Sequence, residues 1–233
     1  MKIAVVLLSW KRPRGTFRNL KNLASQTVGG FKIIISNANP EISETIHEYK
    51  DRFSSLDIEV RNDSNDYFCF RRFFIAKELA ESGIDVIFFI DDDVIIPKTY
   101  IENAISQYEA KTYSSAYAWV FSDNGSDYYR KRSRVYDNKS NIKYCGAGVS
   151  MIDASIFLDP GIFDVPREAY GIDDLWLSYY SDHVAGYKLK YLDIPRVRVG
   201  GDDGVALLKE IRKQGYTKKD FLIDLVKSGW KVS

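Results

Sequence analysis

Three short runs of Ile, Val, Leu and Phe, IAVVLL (3–8), FKIIIS (31–36) and DVIFFI (85–90), decide what this chain can become. With the more polar DIEVRN (57–62) they make four candidate strands, separated by segments of helical spacing. Phe17, Leu20, Leu23 and Ala24 mark the first helix. Ile46, Tyr49 and Phe53 mark the second, which Ser43 can cap. The third runs from about Phe70 to Ser82 and stops at Gly83. Strands that are apolar throughout need cover on both faces, and helices between consecutive strands supply it. The expected fold is α/β, Rossmann-like, with a mostly parallel central sheet. At 233 residues and 45% hydrophobic, the chain can bury a full core without disulfide staples.

The second half is less regular. A helix capped by Thr99 and carrying Ile101, Ala104, Ile105 and Tyr108 leads into SAYAWVF (115–121). The polar stretch 127–141 gathers Arg130, Lys131, Arg132 and Arg134 without a period and reads as a mobile loop. CGAGVSM (145–151), a helix from about Asp173 and a strand over KLKYLDI (188–194) follow. Amphipathic helices are expected at roughly 205–214 and 217–229. No boundary separates two domains, so 1–233 is expected to fold as one.

Charge narrows the function. Lys and Arg number 33 against 32 Asp and Glu, a net charge of +1, which argues against a general nucleic-acid binder. No run approaches the roughly 20 apolar residues of a membrane span, and the opening run is too short for a secretory leader. Cys69 and Cys145 lack ligand spacing, so a reducing, cytoplasmic setting is the expectation.

The sharpest local feature is IFFIDDDVIIP (87–97), three carboxylates at the end of an apolar strand. Unit charges about 4 Å apart repel by roughly 4 kcal/mol at an effective dielectric of about 20. A cation removes that cost. Strand alternation puts Asp91 and Asp93 on one side and Asp92 on the other, facing the crevice at the carboxyl ends of the strands. Hard oxygen ligands of this kind suit Mg²⁺ or Mn²⁺ bridging to a diphosphate. The plainer reading is a solvated turn before the next helix.

In order and spacing these pieces resemble the nucleotide-sugar glycosyltransferases of the GT-A fold, in particular the inverting glycosyltransferase family 2. The resemblance runs from about Ile3 to Pro195 and rests on LSWKRP, LASQTVGGFKIIISNANP, FRRFFIAKELAESG, the Asp triplet, CGAGVSMIDASIFLDPGIFD, YGIDDLWLSYY and AGYKLKYLDIP. It implies a nucleotide-sugar-binding half over about 1–97, an acceptor and catalytic half over about 98–200 and C-terminal helices beyond.

It also implies site roles. Ser9, Trp10 and Arg12 fall in the loop that holds the nucleotide; Trp10 is equally readable as core. Where the family has an Asp that reads uracil this chain has Ser36 and Asn37, so UDP is favoured without being fixed. One of Arg71 and Arg72 falls near the diphosphate, the other being a solvated helix residue. Asp91 lies on the ribose side, and Asp93 on the metal side with Asp91 as co-ligand. Asp92 completes the donor loop. Gly146, Ala147 and Gly148 would let the backbone approach the sugar, or simply form a tight turn. Where the family has a late histidine ligand this chain reads RVRVGGDDG (196–204), so either Asp202 or Asp203 substitutes or the ligand is absent. His47 and His183 read as structural.

Asp173 and Asp174 open a helix after Gly171, where Asp is a common cap. The resemblance assigns the second, Asp174, as the base that takes the proton of the acceptor hydroxyl, with Asp173 next in line. The implied reaction is metal-dependent transfer from a nucleoside-diphosphate sugar to a glycan, lipid-linked or protein-linked hydroxyl, with inversion. Alternatives are a sugar nucleotidyltransferase, a phosphohydrolase and a catalytically silent sugar-nucleotide or glycan-binding module. The basic stretch 130–134 could cover the diphosphate, meet an anionic acceptor or be a solvated face. The terminal helices, with Trp230, could touch a membrane or pack on the sheet.

Overall fold

A computed structural model describes residues 1–63, 65–124, 126–195, 197–199 and 215–233. The four apolar runs form β1 (Ile3–Ser9), β2 (Lys32–Asn37), β3 (Asp57–Asn62) and β4 (Val86–Asp91), with α1 (Pro13–Ala24), α2 (Ser43–Arg52) and α3 (Arg71–Glu81) between them. Proline at the first position of α1 has no N–H to leave unsatisfied. Gly83, at φ +83°, ends α3 in a conformation that costs a side chain-bearing residue dearly. Ser43 does not cap α2: its hydroxyl donates to Asn62 Oδ1 2.8 Å away. Thr99 likewise makes no capping bond to the helix that follows it.

The next elements are β5 (Val94–Ile95), α4 (Tyr100–Ile105), β6 (Thr112–Ser115), β7 (Ala118–Phe121), β8 (Arg132–Val135), β9 (Tyr144–Cys145) and β10 (Val149–Asp153). After them come α5 (Asp173–Tyr179), β11 (Lys188–Tyr191), β12 (Arg198–Val199) and α6 (Lys218–Lys227). The central sheet has seven strands in the order β11-β6-β10-β4-β1-β2-β3. β1 to β4 are parallel, β10 runs antiparallel between β4 and β6, and β11 is parallel to β6. Strands from both halves of the chain therefore share one sheet.

Alternation along each strand feeds two cores. Val5 and Leu7 join Leu20, Ile33 and Phe88 on one face; Ala4, Val6 and Leu8 join Phe73, Phe89 and Phe157 on the other. Full burial of side chains of this size contributes roughly 1.5–3 kcal/mol each, which is why both faces are covered. The register places Ser9 beside Asn37 and Leu8 beside Asp91, bringing the ends of β1, β2 and β4 to one edge.

The stretch 127–141 is not a loop throughout. Arg132–Val135 pairs with β7, and β9 pairs with β7 from the other side, making a three-stranded antiparallel sheet. Its polar composition hid it, because both arginines lie on the face that carries the aromatic residues. The terminal helix α6 starts with a capping box between Thr217 and Asp220 and buries Phe221, Leu222 and Leu225. Trp230 is buried too, and its indole N–H donates to Asp182 at 2.8 Å, so this segment packs inward rather than offering an apolar face to a membrane. The helix expected at 205–214, and Asp202 and Asp203, lie outside the described residues. Among the described residues, no helix is long and apolar enough to cross a membrane.

Candidate active site

The Asp triplet sits where the parallel strands end, but it divides differently from a simple alternation. β4 stops at Asp91 and the chain turns through Asp92 and Asp93 into β5. The turn brings Asp92 and Asp93 to one guanidinium, Arg12 Nη1, at 3.1 and 3.4 Å. Asp91 instead accepts from Arg72 Nη2 at 3.0 Å. Backbone bonds hold the turn rigid: Asn19 Nδ2 donates to the Asp91 carbonyl and Arg18 to the Asp92 carbonyl, both at 2.9 Å. Burial pushes Asp92 up to about 7 despite the pull of Arg12. Asp93 is also raised, by burial and then by the charge of Asp91. Both carboxyls are thus pushed toward the protonated form in the absence of further positive charge.

Both arginines of α3 are buried, at 5% and 2% exposure, so neither is the solvated helix residue expected. The reason is α3 itself, which inserts between the sheet and the segment around Phe157. Arg71 is held by neutral partners: its Nε donates to Ser36 Oγ at 2.8 Å, and its two Nη atoms donate to the Phe68, Ser9 and Ser36 carbonyls. Ser36 in turn donates to Asp63. Arg72 is held by charge, with Nε 2.8 Å from Asp173 Oδ2 and Nη2 on Asp91. The Arg72–Asp173 approach is an ion pair without hydrogen-bond alignment, since Nε is aimed at the Cys69 carbonyl. Two buried atoms, Arg72 Nη1 and Asp173 Oδ2, consequently have no hydrogen-bond partner among the described residues. Unsatisfied groups this deep are rare, and these two belong to one buried ion pair.

Asp173 and Asp174 start α5 and point to opposite sides. Asp173 belongs with Arg72 on the Asp91 side; burial raises it above the ordinary carboxylate value against the pull of Arg72. Asp174 belongs with the aromatic sheet. Its Oδ2 accepts from the Tyr144 hydroxyl and from Lys218 Nζ at the start of α6, and its Oδ1 accepts from its neighbour Leu175 N–H at 2.8 Å. Burial alone would raise Asp174, yet Lys218 and these donors hold it below the ordinary value. Lys218 and Tyr144 were beyond sequence reasoning. They lie 44 and 30 residues from Asp174, and neither carries a motif.

The remaining candidates fall around this centre. Trp10 is half-buried at the end of β1 with Lys11 Nζ 4.2 Å from its ring, so it is not core. Ser9 and Asn37 are turned into the fold: Ser9 Oγ lies 2.8 Å from Thr16 Oγ1, and Asn37 bonds Asn39 and Asn62. They shape the loops rather than offer free side chains. A Cβ on Gly148 would stand 2.1 Å from Asp91 Oδ2, so glycine is required there for the carboxylate to take its position. A Cβ on Gly146 would press on Tyr117 and Trp119 at 3.4 Å, while Ala147, buried between them, accepts from Ser150 through its carbonyl. Asp63, at the end of β3, is a site-edge carboxylate the sequence did not single out.

The sheet order is that of the GT-A type of Rossmann-like fold. The sequence matches no protein-family model and no curated protein sequence. Solved structures do match. TarS from S. aureus, in complex with UDP, superposes with a TM-score of 0.58 at 14% identity, covering 83% of this chain and 58% of that one. The mannosyltransferase PcManGT from Pyrobaculum calidifontis, in complex with GDP-Man and Mn²⁺, gives 0.60 at 10% identity, covering 84% and 57%. GalNAc-T7 with UDP, GalNAc and Mn²⁺ gives 0.57 at 14% identity, covering 86% and 43%. This chain thus spans between 43% and 58% of those chains.

Proposed function

We propose that this chain transfers a glycosyl group from a nucleoside-diphosphate sugar, UDP-linked by preference, to an acceptor hydroxyl. The observation that carries this reading is that Arg72 joins Asp91, at the start of the acidic turn, to Asp173 at the start of α5, with Asp174 beside it on the opposite side. That the neighbours include proteins bound to UDP and GDP-Man supports the donor class.

The residues fit a divalent cation, Mn²⁺ or Mg²⁺. Among the described residues no three His, Cys, Asp or Glu side chains converge as a ready-made metal site. Asp91 and Asp93 nonetheless offer two hard carboxylates whose mutual repulsion a cation would relieve, a shortage of positive charge that Arg12 does not fill. Asp93, with Asp91, would hold the metal, whose chemistry there is to neutralise charge on the departing diphosphate. Arg72 adds a fixed positive charge beside Asp91. Asp173 keeps Arg72 in place. Trp10 and Arg12 border the nucleotide loop, and the Gly146–Gly148 segment lets the sugar approach the backbone.

Asp174 is the base. It lies on the acceptor side, Lys218 and Tyr144 keep it ionised, and an ionised carboxylate can take the acceptor proton as the new bond forms. One base on the side away from the diphosphate calls for a single in-line displacement, hence inversion. The test is to measure binding of UDP, GDP and dTDP with and without Mn²⁺, then release of free sugar from the matching donors. Metal-dependent binding with hydrolysis supports transfer; binding without turnover of any donor would make the chain a silent binding module. The anomeric configuration of the product, read by NMR, tests inversion.

A further inference from the structure

We infer that the three-stranded sheet β8-β7-β9 is an acceptor platform for glycans that carry an anionic group, phosphate or carboxylate. This rests on the glycosyl-transfer reading above. The platform is one face of the small sheet. Trp119 lies opposite Arg134 on β8 and opposite Tyr144 on β9, so all three project from the same side. Two residues away on the same face are Tyr117 and Arg132. The Trp119 and Tyr144 rings stack with centroids 4.7 Å apart, and the Tyr144 hydroxyl bonds Asp174. The aromatic face therefore leads directly to the proposed base.

The arginines on this face differ from three others. Arg12, Arg61 and Arg72 each contact two carboxylates. Arg132 and Arg134 have no carboxylate within 4.0 Å among the described residues; they rest on rings and donate one hydrogen bond each, Arg132 Nη1 to the Tyr128 hydroxyl at 2.5 Å and Arg134 Nη2 to the Ala116 carbonyl at 3.2 Å, which leaves their other N–H groups uncommitted. Arg132 lies 4.3 Å from the Tyr128 ring and 5.1 Å from Trp119; Arg134 lies 3.9 Å from the Tyr117 ring. Stacking fixes a guanidinium plane while leaving edge N–H groups to donate, the geometry that recognises carboxylate and phosphate. Tyr117 and Trp119 are half-buried and Arg134 is exposed, so part of each ring and the Arg134 guanidinium meet solvent. Gly146 lies against this surface, where a Cβ would come within 3.4 Å of Tyr117 and Trp119. Rings that can bear the C–H face of a sugar, flanked by uncompensated guanidinium groups, suit a charged glycan better than a neutral one.

The test uses the full chain and ligand-observed NMR with three oligosaccharides: maltoheptaose, its phosphorylated form and an oligogalacturonate of similar length. At least one anionic sugar should bind about tenfold more tightly than maltoheptaose, and which one identifies the charged group. Arg132→Ala and Arg134→Ala should each remove most of that preference, with the Lys variants intermediate. Trp119→Ala should weaken all three sugars. UDP or GDP affinity, measured alongside, should not follow the arginine variants. The inference is overturned if the neutral sugar binds as well as the charged ones, if none binds, or if polyacrylate, which has no sugar rings, binds equally well. It is also overturned if the arginine variants lose nucleotide and keep oligosaccharide affinity. Failure of the glycosyl-transfer reading looks different: wild-type protein would show no metal-dependent binding of any nucleoside diphosphate.

Discussion

The edge formed by β1, β2 and β4 and the face formed by β7, β8 and β9 both present arginines next to aspartates, yet they solve the charge problem in opposite ways. At the parallel edge each guanidinium is locked by carboxylates or carbonyls, and the buried aspartates are pushed toward protonation. On the antiparallel face the guanidiniums lie on rings, and the carboxylate bonded to Tyr144, Asp174 of α5, is held ionised by Lys218. Locked charge is worth most where a multiply charged ligand must be met without rearrangement. Charge resting on rings leaves its donors to the ligand. Under the proposed glycosyl transfer, the contrast would separate a donor side built in advance from an acceptor side that completes itself on binding.

The largest effect that would sharpen this contrast is in stability. Arg72→Ala leaves Asp173 buried without its counter-ion, and loss of one partner of a buried pair costs roughly 3–5 kcal/mol. Arg134→Ala, at an exposed position, should cost well under about 1 kcal/mol. Urea unfolding of the two variants side by side checks the difference, and equal losses would break the comparison.

Next in size is the base. Asp174→Asn keeps the shape and the Leu175 contact but removes the basic oxygen, so transfer should fall by on the order of 10²-fold with nucleotide affinity nearly unchanged. Activity within a few-fold of wild type, measured with a working acceptor, would move the role to Asp173.

Gly148→Ala tests how finely the donor edge is fitted. The added methyl meets Asp91 at 2.1 Å, so the carboxylate or the backbone must shift at a cost of about 1–3 kcal/mol. Metal-dependent nucleotide binding should weaken by calorimetry. Asp93→Ala should abolish that metal-dependent part while the fold survives, and unchanged metal dependence would remove the triplet from the site.

The smallest effect lies where the two halves join. Asp153 ends β10 and accepts from Lys111 N, Ser155 N, Ser155 Oγ and Tyr108 Oη. Although burial opposes it, these donors lower its value in the folded chain. Its stabilisation is therefore present above the unfolded value near 3.9 and lost as pH falls through the lower folded one. Asp153→Asn should cost about 1 kcal/mol at pH 7, and the cost should shrink in acid melts below about pH 4.

How much of this could be read from the chain alone depends on distance along it. IAVVLL, FKIIIS, DIEVRN and VIFFID become strands because side-chain period and burial are local properties, and the end of VIFFID places the Asp triplet at the sheet edge. The opening of α5 at Asp173 was legible for the same reason. The polar stretch around Arg132 was not, because a strand whose outward face carries arginines has no apolar period to detect. Nor was the burial of Arg72, which depends on Asp91 and Asp173, 19 and 101 residues away. The sequence by itself determined the layered α/β sheet, the position of its acidic edge and the residue types available for the chemistry. Only tertiary structure decided that Asp92 and Asp93 share Arg12, that Asp173 and Asp174 face different sides, and that Lys218 reaches back to Asp174. Local spacing sets which way a side chain points, whereas the partner that fixes its charge is chosen by how distant segments pack.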